Sequence, residues 1–258
     1  MHESFRHSWL TLVRHAVRTE TTVQPHLIKK PYHPVVLDIL QRQPARAVLD
    51  APCGHGWLGH EFSRLQPDLQ IDGLALWEYP VEVPAYGMVR EHDLDEPLPK
   101  MPREYDAVVC CEAIHLLTSP GSALKGFRDV LRPGGKLIVT TPNTWHVRSR
   151  GQFLLRGFHS GFSPMYGKNR GDYITHFPFS FPQLHLMLST LGFQRIELHE
   201  VDEPKPKRQI ERLLGWPGET YCRRKVANAV DEDEASYWKQ VGSLQSMYGR
   251  WLVVSAER

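Results

Sequence analysis

Strand-length apolar runs alternate with helix-period segments through this 258-residue chain, and that alternation restricts the fold more than any other feature. Residues 47–50, 71–76, 107–111 and 137–141 are short and rich in Val, Leu, Ile, Ala and Cys. Between them, Leu58, Phe62 and Leu65, and then Ala123, Leu124, Phe127 and Leu131, recur three or four residues apart, as one face of a helix requires. A further helix is expected over 34–42. Strands that are apolar throughout are buried on both faces, which marks a parallel sheet with helices on either side. Right-handed crossovers make such a sheet doubly wound, so the expected class is α/β and Rossmann-like. Later, Ser180 is placed to cap a helix with Pro182 in its first turn and Leu184, Met187, Leu188 and Leu191 on one face; Gly192 stops it. Strands follow at 195–199 and 251–255.

Three stretches depart from this rhythm. In residues 1–18, Phe5, Trp9, Leu12, Val13 and Ala16 have helical spacing with basic residues between them. That amphipathic pattern reads as a cap on the chain's own domain or as a contact for a partner or a membrane surface. Residues 143–181 are crowded with aromatics, arginines and glycines, with a helical patch near 152–156; they are expected to form a lid. Residues 202–248 form a second insertion, with helical patches near 210–214 and 235–244 and an acidic run, Asp231 to Glu234, suited to a solvated helix start. The organisation expected is a helical extension over 1–30 and one decorated domain over 31–258.

Composition removes several function classes. With 41 % hydrophobic and 23 % charged residues the chain has ordinary globular usage, and a formal charge of +2 is too mild to predict nucleic acid as the main partner. No run approaches the ~18 consecutive apolar residues of a membrane span. The first residues lack the long apolar core of a secretory signal. Cys53, Cys110, Cys111 and Cys222 have no CxxC spacing, and the 14 histidines have no ligand spacing such as HExxH, so neither a disulfide framework nor a metal site is expected. The compartment expected is a reducing cytoplasm.

Residues 48–56, VLDAPCGHG, carry the chemistry: a strand ending in Asp50, a tight glycine turn, then a helix. Gly54 and Gly56 let the backbone approach a ligand where a side chain would block it. Gly54, Gly56 and Gly59 spell GxGxxG, yet a carboxylate at the strand end would repel a dinucleotide's pyrophosphate. The same carboxylate suits a cationic small cofactor.

At this point the sequence resembles the class I S-adenosylmethionine-dependent methyltransferases. The supporting segments come in order: IDGLALWEY at 71–79, REHDLDEPLP at 90–99, YDAVVCCEAIHLL at 105–117, LRPGGKLIVTTPN at 131–143, HFPFSFPQLHLMLSTLGF at 176–193 and GRWLVVSAE at 249–257. The resemblance implies a seven-stranded sheet with an antiparallel last strand. It implies S-adenosylmethionine as cofactor, held by Asp50, Ala51, Pro52, Cys53, Gly54 and Gly56 in the first loop. Leu76, Trp77 and Glu78 would follow after the second strand, Asp93 and Leu94 at the adenine, and Glu112 after the fourth strand. Two residues depart from the family pattern. Pro52 stands where Gly is usual, and Ala75 stands where an acidic residue holds the ribose hydroxyls; Glu78, or Asp72 in another register, is the substitute.

Methyl transfer requires alignment, exclusion of water and removal of a proton when the acceptor is a hydroxyl. Acceptor groups should come from loops at the carboxyl ends of the strands. His115, after the fourth strand, is the first expectation for a general base, with packing or capping as its alternative role. His146, after the fifth strand, and His176 are further candidates for base or acceptor contact. Arg148, Arg150 and Arg156 could pair with an anionic acceptor. The stretch SRGQFLLRGF, 149–158, resembles a segment of methyltransferases that act in bacterial cell-surface polysaccharide synthesis, which implies O-methylation of a sugar hydroxyl on a glycan or its precursor. The competing expectation is a methyltransferase-like partner subunit that binds the cofactor weakly.

Overall fold

The structure is a computed structural model that describes residues 29–42, 45–65, 68–76, 86–161 and 175–258. The helix expected over 1–18 lies outside the described residues. Among the described residues seven strands form one sheet: β1 (Ala47–Asp50), β2 (Gln70–Ala75), β3 (Tyr86–Glu91), β4 (Tyr105–Cys111), β5 (Leu131–Pro142), β6 (Gln194–His199) and β7 (Trp251–Glu257). Their order across the sheet is β3-β2-β1-β4-β5-β7-β6. The first five pair in parallel, and β7 runs antiparallel to both β5 and β6.

Both faces are covered because successive strand residues point opposite ways. Val48, Ile71, Ala107 and Val109 pack under α1 (His33–Gln41) and α2 (Trp57–Leu65), with Val36, Leu58 and Phe62. Leu49, Leu74, Val108 and Leu137 pack under α3 (Pro120–Val130) and a later helix, Phe181–Thr190, with Phe127, Phe181 and Leu188. The parallel register brings the ends of β1, β2, β4 and β5 to one edge: Asp50 is opposite Gly73 and Val109, and Val109 is opposite Ile138. The loops after Asp50, Ala75, Cys111 and Pro142 therefore leave the sheet together.

Two elements differ from the sequence expectation. β3 is a strand where the sequence reads as loop; it is the sheet edge, and its half-exposed residues lack an apolar run. The second insertion is built of longer helices. Between β5 and the capping-box helix α5 (Phe181–Thr190) stands α4 (Val147–Arg156), and after β6 come α6 (Gln209–Ala227), α7 (Glu232–Val241) and α8 (Leu244–Tyr248). Gly215, Pro217 and Gly218 in α6 look like breakers in sequence. Gly215 instead leaves room for Tyr248, whose hydroxyl would lie 2.1 Å from a Cβ there.

Asn143 ties this insertion to the sheet. Its buried amide donates to Ser246 O (2.8 Å) and Gly249 O (2.9 Å), and its Oδ1 accepts from Trp145 N (2.9 Å). Asn143→Ala strands those carbonyls at the end of α8, and urea unfolding should show a loss of about 1–3 kcal/mol.

Candidate active site

The loop after β1 is pinned from both sides. Ala51 N donates to Val109 O on β4 (2.8 Å), and Cys53 N donates to Leu74 O on β2 (2.8 Å). Gly54 and Gly56 have φ of +50° and +78°, the left-handed region that favours glycine, and Gly56 O accepts from His60 N (3.0 Å) as α2 begins. A Cβ placed on Gly54 would meet nothing within 4 Å, so the loop borders open space there. Pro52, joined to Ala51 by a cis peptide, is half-buried beside it. Gly59 serves packing instead: a Cβ on it would lie 2.2 Å from the Tyr86 ring.

Asp50 is completely buried beneath this loop. Tyr86 Oη donates to its Oδ2 (2.5 Å), while its Oδ1 has no hydrogen-bond partner among the described residues. Burial raises the Asp50 carboxyl to a pKa of about 7, with the Tyr86 hydrogen bond pulling the other way. An unpartnered buried carboxylate oxygen favours a cationic ligand group, which would stabilise the ionised form.

At the end of β4, Glu112 takes φ +52°, and its N–H donates to Thr140 O (3.0 Å). Non-glycine residues held there cost roughly 1–3 kcal/mol and persist where the surroundings fix them. Here the Glu112 carboxylate accepts from Tyr32 Oη (2.5 Å) and lies 3.8 Å from Lys30 Nζ. Next to Tyr32, His33 stacks on Trp57 at 3.8 Å with ring planes 1° apart. The turn into α1 thus closes over the edge where the β1 and β4 loops emerge. Sequence reasoning missed Tyr86, Tyr32, Lys30 and His33, which come from other segments and carry no motif.

The histidines separate into distinct roles. His115 is buried in a short 3-10 turn, Ile114–Leu116; its Nδ1 lies 3.3 Å from Thr141 Oγ1, and burial lowers its pKa to about 4. His176 N and Phe177 N donate to His115 O (2.9 and 3.2 Å), so His176 adjoins His115 through backbone while its own side chain is exposed. His115 borders a cavity of about 50 Å³ with Pro142, Thr144, Ser160, Gly161, Thr175 and Phe177. That is room for water, against roughly 300–1,000 Å³ for ordinary ligand pockets.

His146 corrects an expectation. It is the N-cap of α4, where Nδ1 accepts from Ser149 N (3.2 Å) and meets the Arg250 guanidinium. Burial and Arg250 lower its pKa to about 3. Arg250 in turn pairs with Glu211 of α6 (3.0 Å). The ring nitrogen expected to act on an acceptor is committed to holding helices together. Arg150 is likewise turned inward, stacked on Trp145 at 4.6 Å, with Nε and Nη2 buried and unpartnered among the described residues. Arg148 and Arg156 are exposed on α4.

Around β2, Ala75 is buried and its carbonyl accepts from His92 N (2.7 Å); Leu76 is half-buried, and Trp77 and Glu78 lie outside the described residues. Asp72 is corrected as a ribose substitute. Its buried Oδ2 accepts from Tyr105 Oη (2.8 Å) and lies 3.3 Å from Arg103 Nε, at the start of β4 and away from the loop edge. Asp93 is half-buried and turns its Oδ1 to Asp95 N (3.0 Å), with Leu94 buried beside it.

Residues 26–198 match the family described as a methyltransferase domain. The chain belongs to that family. A ubiquinone biosynthesis O-methyltransferase of Proteus mirabilis is 27 % identical over 134 residues, covering 44 % of this chain and 52 % of that protein. A malonyl-acyl-carrier-protein O-methyltransferase of Halalkalibacterium halodurans is 31 % identical over 138 residues, covering 47 % and 51 %. The chain spans about half the length of these curated relatives. Among solved structures, the 1,6-didemethyltoxoflavin-N1-methyltransferase of Burkholderia thailandensis superposes with a TM-score of 0.54 at 16 % identity, over 98 % of this chain and 87 % of that one. A SAM-dependent methyltransferase of Archaeoglobus fulgidus gives 0.50 at 15 % identity, over 87 % and 94 %. These likenesses establish the methyltransferase fold.

In this methyltransferase domain the β1 loop is therefore the candidate cofactor cradle, and the buried carboxylate has a measurable signature. Its pKa in the fold is raised above the unfolded value of 3.8, so the unfolded chain binds fewer protons and stability falls as pH rises from about 4 to about 7. Asp50→Asn removes that penalty. Without ligand, the variant should melt at a higher temperature than the parent at pH 8, by up to about 4 kcal/mol of stability, and the advantage should vanish near pH 4.

Proposed function

We propose that this methyltransferase domain uses S-adenosylmethionine to methylate a hydroxyl of a small molecule. The observation that carries this is Asp50: a buried carboxylate with one oxygen unpartnered among the described residues, under a glycine loop bordered by open space. The cofactor supplies an electrophilic methyl group on a sulfonium. The fit to the residues present is good, because the fold leaves a negative group wanting a cation and no side chain on Gly54 in the way. Gly54 would present backbone to the ligand, with Ala51, Pro52 and Cys53 shaping the turn, Gly56 completing it and Asp50 as the negative charge beneath. Leu76, with Asp93 and Leu94, would flank the nucleoside, and Glu112, held by Tyr32, borders the opposite side.

His115 is the base of this reading. Burial keeps the ring neutral at physiological pH, which supplies the proton-accepting form while weakening its basicity. In the tautomer that carries its proton on Nδ1, toward Thr141 Oγ1, Nε2 would be the nitrogen that takes the acceptor's hydroxyl proton as the oxygen gains the methyl group. The relatives' names support a hydroxyl acceptor. The narrower reading, a sugar hydroxyl on a glycan or its precursor, is supported by the likeness of residues 149–158 and by the exposed Arg148 and Arg156 as partners for an anionic acceptor.

Calorimetric titration with S-adenosylhomocysteine should show binding. His115→Ala should retain that binding and lose roughly 10²–10⁴-fold in turnover. No binding at millimolar ligand would favour the partner-subunit reading, and a fully active His115→Ala variant would remove the base.

A further inference from the structure

Helix α6 is amphipathic in the inverted sense. Glu211, Gly215 and Cys222 face inward, whereas Ile210, Leu213, Leu214, Trp216 and Tyr221 recur on the outward side, with Leu213 72 % and Trp216 60 % exposed. Leaving a large apolar face in contact with water is costly, and helices normally turn such a face to the core. α4, which lies beside α6 and approaches it through Arg150 near Gly218, adds Leu154 and Leu155, 85 % and 89 % exposed, together with Phe153. No helix among the described residues is long and apolar enough to cross a membrane.

The exposed charges along α6 itself are basic, with exposed carboxylates only at its two ends, Asp202 before it and Asp231 to Asp233 after it. Lys207, Arg208, Arg212, Arg223 and Arg224 are exposed along α6 and its entry. The two carboxylates of the helix are engaged inward, Glu211 with Arg250 (3.0 Å) and Glu219 with the Tyr248 hydroxyl. The acidic run that begins α7 stands beyond the far end of α6, about 25–30 Å from Ile210. A second copy docked by the same face is the competing occupant, and the oligomeric state of the parent tests it. An anionic bilayer satisfies both features: acyl chains take the Leu and Trp side chains, and headgroups take the arginines. Both helices follow strands that end at the loop edge, so the surface flanks the candidate site.

We propose that the outward faces of α4 and α6 dock this protein in the plane of an anionic lipid surface. The inference stands apart from the methyl-transfer reading, because its readout needs no cofactor. The test is flotation of the full chain with phosphatidylcholine vesicles with and without phosphatidylglycerol, comparing the parent with a Leu213→Ser, Leu214→Ser, Trp216→Ser variant and an Arg212→Glu, Arg224→Glu variant. Because these side chains are exposed, both variants should melt like the parent. The parent should float with the phosphatidylglycerol vesicles, and each variant should bind them roughly tenfold or more weakly, with added salt weakening the parent. Three outcomes overturn the proposal: the parent floats with neither vesicle, the variants float as well as the parent, or the parent is a dimer that the serine variant converts to monomer.

Discussion

A carboxylate shut away from water at the end of β1 sets a requirement that its surroundings meet only by half. Tyr86 reaches Oδ2 from the edge strand, and its ring is accommodated because Gly59 carries no Cβ. Oδ1 is left without a donor among the described residues, in a medium where an unpaired polar group costs roughly 1–3 kcal/mol. Asp72 Oδ1 is unpartnered among the described residues as well, so it is the place of Asp50 beneath the glycine loop that makes it the candidate for a ligand's charge. The pinned backbone of Ala51 and Cys53 and the left-handed glycines form the loop directly above that group.

The parts legible in sequence were those governed by local rules. The apolar runs at β1, β4 and β5, the Ser180 N-cap and the glycine turn after Asp50 follow from periodicity and backbone sterics, and the structure places them where expected. The edge strand β3 was not legible, since an edge needs no continuous apolar run. Nor was the length of α6, where Gly215 makes room for Tyr248 and Gly218 for Met247. Tyr86 and Tyr32 reach Asp50 and Glu112 across sequence separations of 36 and 80 residues, and nothing local marks such pairs.

The histidines show the same division. Spacing after the fourth and fifth strands nominated His115 first and His146 after it, both positions lying at the carboxyl edge. Tertiary context separates them: His146 is taken by the α4 cap and Arg250, whereas His115 keeps a cavity on one side and Thr141 on the other. Arg150, expected at an anionic acceptor, instead packs on Trp145 inside the junction of α4 and α6. What remains outward on those helices is apolar, and so points to a surface and not to a pocket.

If the glycine turn was shaped around a cation, occupying it must change the proton bound to the group below. The decisive measurement is calorimetric titration of S-adenosylmethionine at pH 7 in two buffers of different ionisation heat, with the parent and Asp50→Asn. The account predicts release of a fraction of a proton on binding by the parent, since the ligand's cationic groups depress a carboxyl pKa that lies near 7, and no such release by the variant. Binding by the parent with no proton exchanged, or the same exchange in both proteins, would contradict it.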